Sequence, residues 1–311
     1  MTLGQLSAFV LVARLGSVTD AARTLGVSEP AVSQALGALR QHHGDKLIAR
    51  TSTGMTLTPG GSRLLPIASQ MVALGADADA AVREANGLAE RLQLAVTSTL
   101  AEFVASPLLE AFTARSGKSI DASAGLAQTA EMPVLVSNRL ADATLGPRLD
   151  SGLDSTPVFR CGLVALAAPR AQHHGRPSSW QWLVGPSGAD PGSDTARLLA
   201  QLRVPDEAIR VFPNQTAAWS AAASGTGVST GIEHLAAPQL RRKELVVVPT
   251  PATPVTVCWH LTTLPRDRLS PAAASLRHFL STPAAMQVMR SPGAGVPPSR
   301  FRPPVYVTIW S

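Results

Sequence analysis

Two cysteines, Cys161 and Cys258, are all the thiol chemistry that this 311-residue chain contains. Two are too few for a disulfide framework or a zinc finger, and they point to a reducing compartment. Lysine is almost as scarce. Lys46, Lys118 and Lys243 are its whole complement, so the net charge of +6 rests on arginine. That sign of charge suits a polyanionic partner. Charged residues make up only 15% of the chain and hydrophobic residues 45%, which excludes a disordered chain and leaves ample material for a core. No apolar run reaches the roughly 18–20 residues of a membrane span. The opening MTLGQLSAFVLVARLG lacks a basic leader and ends its apolar run at Arg14, so a cytoplasmic protein is expected.

Other absences narrow the chemistry. His42–His43 and His173–His174 are adjacent pairs, not the i, i+4 spacing that sets two ligands on one helix face, so no metal is expected. Gly225-Thr226-Gly227 follows a helical pattern, not a strand, which argues against a dinucleotide loop, and no cofactor is implied. Gly185-Pro186-Ser187-Gly188-Ala189 half-resembles a nucleophile elbow but lacks its last glycine. An α/β hydrolase-like enzyme is therefore a remote alternative.

What is present is organised around residues 17–40, SVTDAARTLGVSEPAVSQALGALR. A short helix over 19–25 meets a turn at Gly26-Val27-Ser28, and a second helix runs from Glu29 to about Gln41. Ala22 is small enough for two crossing helices to meet, Gly26 can take positive φ, and Val32 closes the apolar contact. Ser28 is a good cap, and Pro30 is tolerated in a first turn. Val32, Leu36 and Leu39 recur at i, i+4, i+7 and face inward. Pro30, Ser33, Gln34, Gly37 and Gln41 remain outside as a narrow polar face of the kind that fits a DNA major groove. A helix over 3–14 braces this unit. After it, a strand over 46–50, a turn and a return strand over 55–58 form a wing with Arg50 at its base.

From Pro59 to about Asn86-Gly87 a long helix carries Leu64, Ile67, Met71, Leu74, Ala78, Ala81 and Ala85 at heptad spacing, a seam for a second copy. Beyond residue 91 strand-like and helix-like runs alternate, which predicts parallel sheets flanked by helices and two lobes. Thr97-Ser98-Thr99 lies between a strand and a helix over 101–115, where hydroxyls and N–H groups can meet an anion. Asn214-Gln215-Thr216 occupies the same kind of place in the second lobe. The Pro-rich run over 291–311, with Arg300 and Arg302, reads as a linker or strap.

Taken together, the chain resembles the LysR-type transcriptional regulators. The resemblance rests on QLSAFVLVARLGSVTDAARTLGVSEPAVSQALGAL, then LIAR, LTPGG and LLPIA in that order, and more weakly on VTSTLAEF, RLADATLG and SGTGVSTG. It implies an α/β architecture: a winged helix-turn-helix over 1–58, a linker helix over 59–88 that pairs two subunits, and a two-lobed, periplasmic-binding-protein-like effector domain over 89–290. In that domain lobe 1 takes about 89–160 and 256–290, and lobe 2 about 161–255. The resemblance further implies promoter DNA and a small-molecule effector as partners, with homodimers pairing into tetramers.

DNA contacts are expected from Ser28, Glu29, Pro30, Ser33, Gln34, Arg50, Thr51 and Ser52. Effector contacts are expected from Thr97, Ser98, Thr99, Asn214, Gln215 and Thr216. Glu29 stands where the family usually has Gln, and Ile48 where it has Phe. By resemblance Cys161 and Cys258 lie on the two strands that cross between the lobes, which leaves a redox-sensing regulator as an alternative.

Overall fold

The computed structural model describes residues 1–51, 54–116, 119–149, 152–171 and 175–292. Helix α1 (Leu3–Leu15) opens on a reciprocal cap: the Thr2 hydroxyl accepts from Gln5 N, and the Gln5 side chain accepts from Thr2 N. Ser17 caps α2 (Val18–Leu25), and Ser28 caps α3 (Glu29–His43) by accepting from Ala31 N. Between them Gly26 takes φ +65°, so the chain reverses without a Cβ clash. The Val27 N–H then closes the turn on the Ala22 carbonyl. Val32, Leu36 and Leu39 are buried against α1 and α2, the stripe that the i, i+4, i+7 spacing predicts.

The wing is β1 (Ile48–Thr51) paired antiparallel with β2 (Gly54–Leu57), with Arg50 opposite Met55. The first strand starts two residues later than the pattern predicts, because Leu47 sits at φ +57° and breaks the extended run. Asp45 ties the wing's root together. Its carboxylate accepts from Leu47 N at 2.7 Å and from the Thr58 hydroxyl at 2.8 Å. These bonds, the backbone one foremost, hold its carboxyl below the usual range.

Thr58 also caps α4 (Pro59–Ala85), by accepting from Gly61 N. This rod buries Gly61, Leu65, Ala68 and Val72 toward the first domain. Gly61 is obligatory there, since a Cβ would stand 1.9 Å from the Leu47 carbonyl oxygen. The proposed seam is split: Leu64 and Met71 are half-buried against the core of the first domain, while Ile67 and Leu74 are 55% and 65% exposed and Ala78, Ala81 and Ala85 are exposed too.

The remainder is one mixed sheet with helices packed on it. Strand β3 (Glu90–Val96) is followed by α5 (Ser98–Phe103), α6 (Ala105–Ser116), β4 (Ile120–Leu126), α7 (Met132–Ser137) and β5 (Ala143–Gly146). Strands β4, β3 and β5 form a parallel unit. The long β6 (Asp154–Ala167) leads to β7 (Trp182–Val184), α8 (Asp194–Gln201), β8 (Ile209–Val211), α9 (Gln215–Ala223) and β9 (Val228–Ile232). Strands β9, β7 and β8 form a second parallel unit. Helix α10 (Ala237–Arg241) and β10 (Val246–Val248) precede the returning strand β11 (Val255–Thr263), then α11 (Pro271–Leu280) and α12 (Pro283–Arg290) close the described part.

The strand order is β4-β3-β5-β11-β6-β9-β7-β8, with β10 on β6. The sheet is therefore not purely parallel. β6 and β11 run antiparallel through its middle and stitch two parallel lobes together. One further departure stands out: the helix expected over 101–115 breaks at Val104 into α5 and α6. Helix α7 has only six residues and is preceded by a turn over 127–131.

Candidate nucleic-acid interface and ligand cleft

On α3 the buried stripe leaves Glu29, Pro30, Ser33, Gln34, Gly37 and Gln41 exposed, with Ser28 at the start of the same face. Arg50 is exposed on the wing. Thr51 ends β1, while Ser52 and the wing tip lie outside the described residues. Arg40, on the last turns of α3, donates from Nε to the Lys46 carbonyl at 3.0 Å and so joins the helix to the wing. A helix with hydrogen-bonding side chains on its outer face, next to a hairpin carrying a cation, can read base edges and hold phosphates at once.

The second site lies where the lobes meet. A narrow cleft of about 50 Å³ is lined by Thr97 and Thr99 from lobe 1, by Ser187, Asp194, Gln215 and Thr230 from lobe 2, and by Trp259 from β11. Of the six expected contact residues, Thr97, Thr99 and Gln215 line it; Ser98, Asn214 and Thr216 do not. Asn214 caps α9 by accepting from Ala217 N, and the Gln215 side chain donates to the Thr230 carbonyl inside lobe 2. Burial pushes the Asp194 carboxyl up, against the pull of Arg197. The Thr230 hydroxyl is buried without a partner among the described residues.

Two clasps shut this cleft. The Glu102 carboxylate reaches from α5 to the start of α9, where it accepts from Gln215 N and Thr216 N at 2.8 Å each and from the Thr216 hydroxyl. Asp190 of lobe 2 accepts from both the N–H and the hydroxyl of Thr129 in lobe 1, at 2.9 and 2.8 Å. Sequence reasoning missed Glu102, Thr129 and Asp190. The only local signal was at Asp190, whose carboxylate also accepts from Gly192 N in a Pro-Gly turn.

The N-terminal head also touches the body. Glu131 is 4% exposed, and its carboxylate takes Arg23 of α2 at 2.9 Å and the Thr24 hydroxyl at 3.2 Å. Burial raises its carboxyl above the ordinary range, opposed by Gln128 N, Arg23 and Thr24. Arg139 pairs with Asp77 of the rod at 3.2 Å.

The thiols are neighbours in sequence register but not in direction. Cys161 stands opposite Val257, and Cys258 opposite Arg160, so the two side chains leave opposite faces of the ladder. Burial pushes the Cys161 thiol up to about 12, away from the thiolate that exchange chemistry needs. Ser187 donates its hydroxyl to Thr195, with no imidazole in that pair. His42 and His43 meet edge to face, and His173–His174 lie outside the described residues. No group of three His, Cys, Asp or Glu is placed to hold a metal among the described residues. None of their helices is long and apolar enough to cross a membrane.

A winged head on a long rod, with a hinged two-lobed body closing on a cleft, is the architecture of a ligand-responsive transcriptional regulator. The chain belongs to the LysR family of these. The model described as the bacterial regulatory helix-turn-helix protein, lysR family, matches residues 3–62, and the LysR substrate binding domain matches residues 85–284.

An uncharacterised HTH-type transcriptional regulator of Mycobacterium tuberculosis is 33% identical over the whole of both chains. The HTH-type transcriptional regulator CfxR of Cupriavidus necator is 30% identical over 96% of this chain and 97% of its own. Among solved structures, full-length LysG from Corynebacterium glutamicum with bound effector Arg shares the fold at TM-score 0.53 and 21% identity, covering 93% of this chain and 99% of that one. The Vibrio cholerae virulence activator AphB does so at TM-score 0.54 and 18% identity, covering 90% and 98%. The family is one of transcriptional regulators, which are not enzymes.

Proposed function

We propose that the chain binds promoter DNA as a homodimer joined along α4, that dimers pair into tetramers, and that a small molecule entering between the lobes changes the grip. The observation that carries the reading is the polar strip of α3, left in solvent by a helix whose other stripe is fully buried. Ser33 meets a phosphate. Gln34 meets a base edge, its amide being suited to bidentate contact with adenine. Ser28 and the N–H groups after it receive a phosphate at the helix start. Glu29 and Pro30 shape the first turn, where Glu29 can accept from a cytosine amino group. Arg50, Thr51 and Ser52 serve the wing.

Thr97, Thr99 and Gln215 contact the effector. The closed cleft holds little more than a few waters, so the lobes part to admit it. LysG with its bound Arg shows the fold accommodating a small effector in a relative. Footprinting on the DNA beside the gene, with and without candidate metabolites, tests this. Two protected half-sites about one helical turn or its multiples apart are expected. Purified protein that ignores every duplex at low salt overturns it.

A further inference from the structure

We propose that Glu131 is a positioning residue for DNA binding, and that the turn carrying it transmits the closure of the two lobes to the helix-turn-helix. The inference rests on the reading of this chain as a DNA-binding regulator with a ligand cleft. Its grounds are the contacts made by residues 127–131. At one end Thr129 is held by Asp190 across the cleft through two hydrogen bonds. Lobe 2 also approaches it closely: Gly192 packs so near the Thr129 side chain that a Cβ there would stand 2.6 Å from it. Two residues later Glu131 is held by Arg23 and Thr24 of α2.

The turn between them is stiff. Gln128 N donates to the Glu131 carboxylate at 2.7 Å, Glu131 N donates back to the Gln128 carbonyl at 3.0 Å, and Ala127 N is tied to the Val96 carbonyl. A rigid turn with one contact on lobe 2 and another on the head moves as a unit. When Asp190 withdraws from Thr129, the seat of α2 shifts with it. Because α3 is locked to α2 through Gly26 and the buried Val32, the recognition face turns too. Glu131 is a carboxylate with almost no exposure to water, so it depends on Arg23, Thr24 and Gln128 N for its stabilisation and does not drift free of the head at small cost.

The test uses the full-length protein. Asp190→Ala alters lobe 2 and no residue placed on DNA. Hydrogen exchange of the amides over 18–25 is expected to quicken by about fivefold or more, as it does in Glu131→Gln, and the double variant is expected to exchange no faster than the quicker single one. Asp190→Asn, which keeps an acceptor for Thr129, restores slow exchange. Affinity for an isolated half-site stays within about twofold, because no DNA-contacting group has changed, while the bend angle of a full operator shifts. Slow exchange of α11 and α12 in every variant shows that the body remains folded. Unaltered α2 exchange in folded Asp190→Ala, or additive effects in the double variant, overturns the proposal. Failure of the wild type to protect any duplex instead strikes the underlying DNA-binding reading, and is seen before any variant is made.

Discussion

Arg50 is exposed on the wing next to a helix that offers polar groups but little charge. A cation placed this way is expected to meet phosphate, which carries no sequence. Arg50→Ala is expected to weaken binding to all duplexes alike and to reduce the salt slope by about one unit in titrations against two unrelated operators. A loss confined to one operator would mean that Arg50 reads bases. Asp142 is a residue of another kind. Its half-buried carboxylate accepts from Gln93 N and the Ser270 hydroxyl, and desolvation raises its carboxyl above the unfolded value despite those bonds. The protonated form is thus the one the fold prefers, so this group's contribution is fully present below the unfolded pKa and is lost as pH rises through the folded one. Asp142→Asn is expected to compare better with the wild type at pH 7 than at about pH 3, measured by urea unfolding at both.

Among elements, α4 is decided by which of its faces are covered. Leu65, Ala68 and Val72 belong to the head, while Ile67 and Leu74 are bare in the single chain. Charges at both bare positions, Ile67→Glu with Leu74→Glu, are expected to give monomers by sedimentation while the head stays folded, since neither side chain packs against α1. The same element shows what a sequence can and cannot convey. Its length and its stop near Asn86-Gly87 are local properties and were legible, as were the stripe of α3 and the turn at Gly26. The late start of β1 was not, because nothing in the letters LIAR reveals the positive φ of Leu47. Nor was the antiparallel course of β6 and β11, since an apolar run has no visible direction until its partner is known.

At the level of the whole molecule, the cleft was legible only in part. Thr97, Thr99 and Gln215 could be marked because they sit at strand-to-helix junctions, a local sign. Glu102 and Asp190 could not, because their partners are 114 and 61 residues away and no periodicity links them. Glu102→Ala removes a carboxylate that three donors share. It is expected to lower stability by about 2 kcal/mol and to speed exchange at the Gln215 and Thr216 amides, read by calorimetry and hydrogen exchange. Unchanged exchange there would show that the clasp forms only transiently in solution.

The root of the wing is fused to the rod: Gly61 lies against the Leu47 carbonyl and Thr58 shares Asp45 with Leu47. Such a joint has no play. In the proposed pairing along α4, a twist applied at the far end of this 27-residue lever is expected to reach the hairpin through that joint, so that the rods and not a loop beside the DNA set the spacing between the two heads.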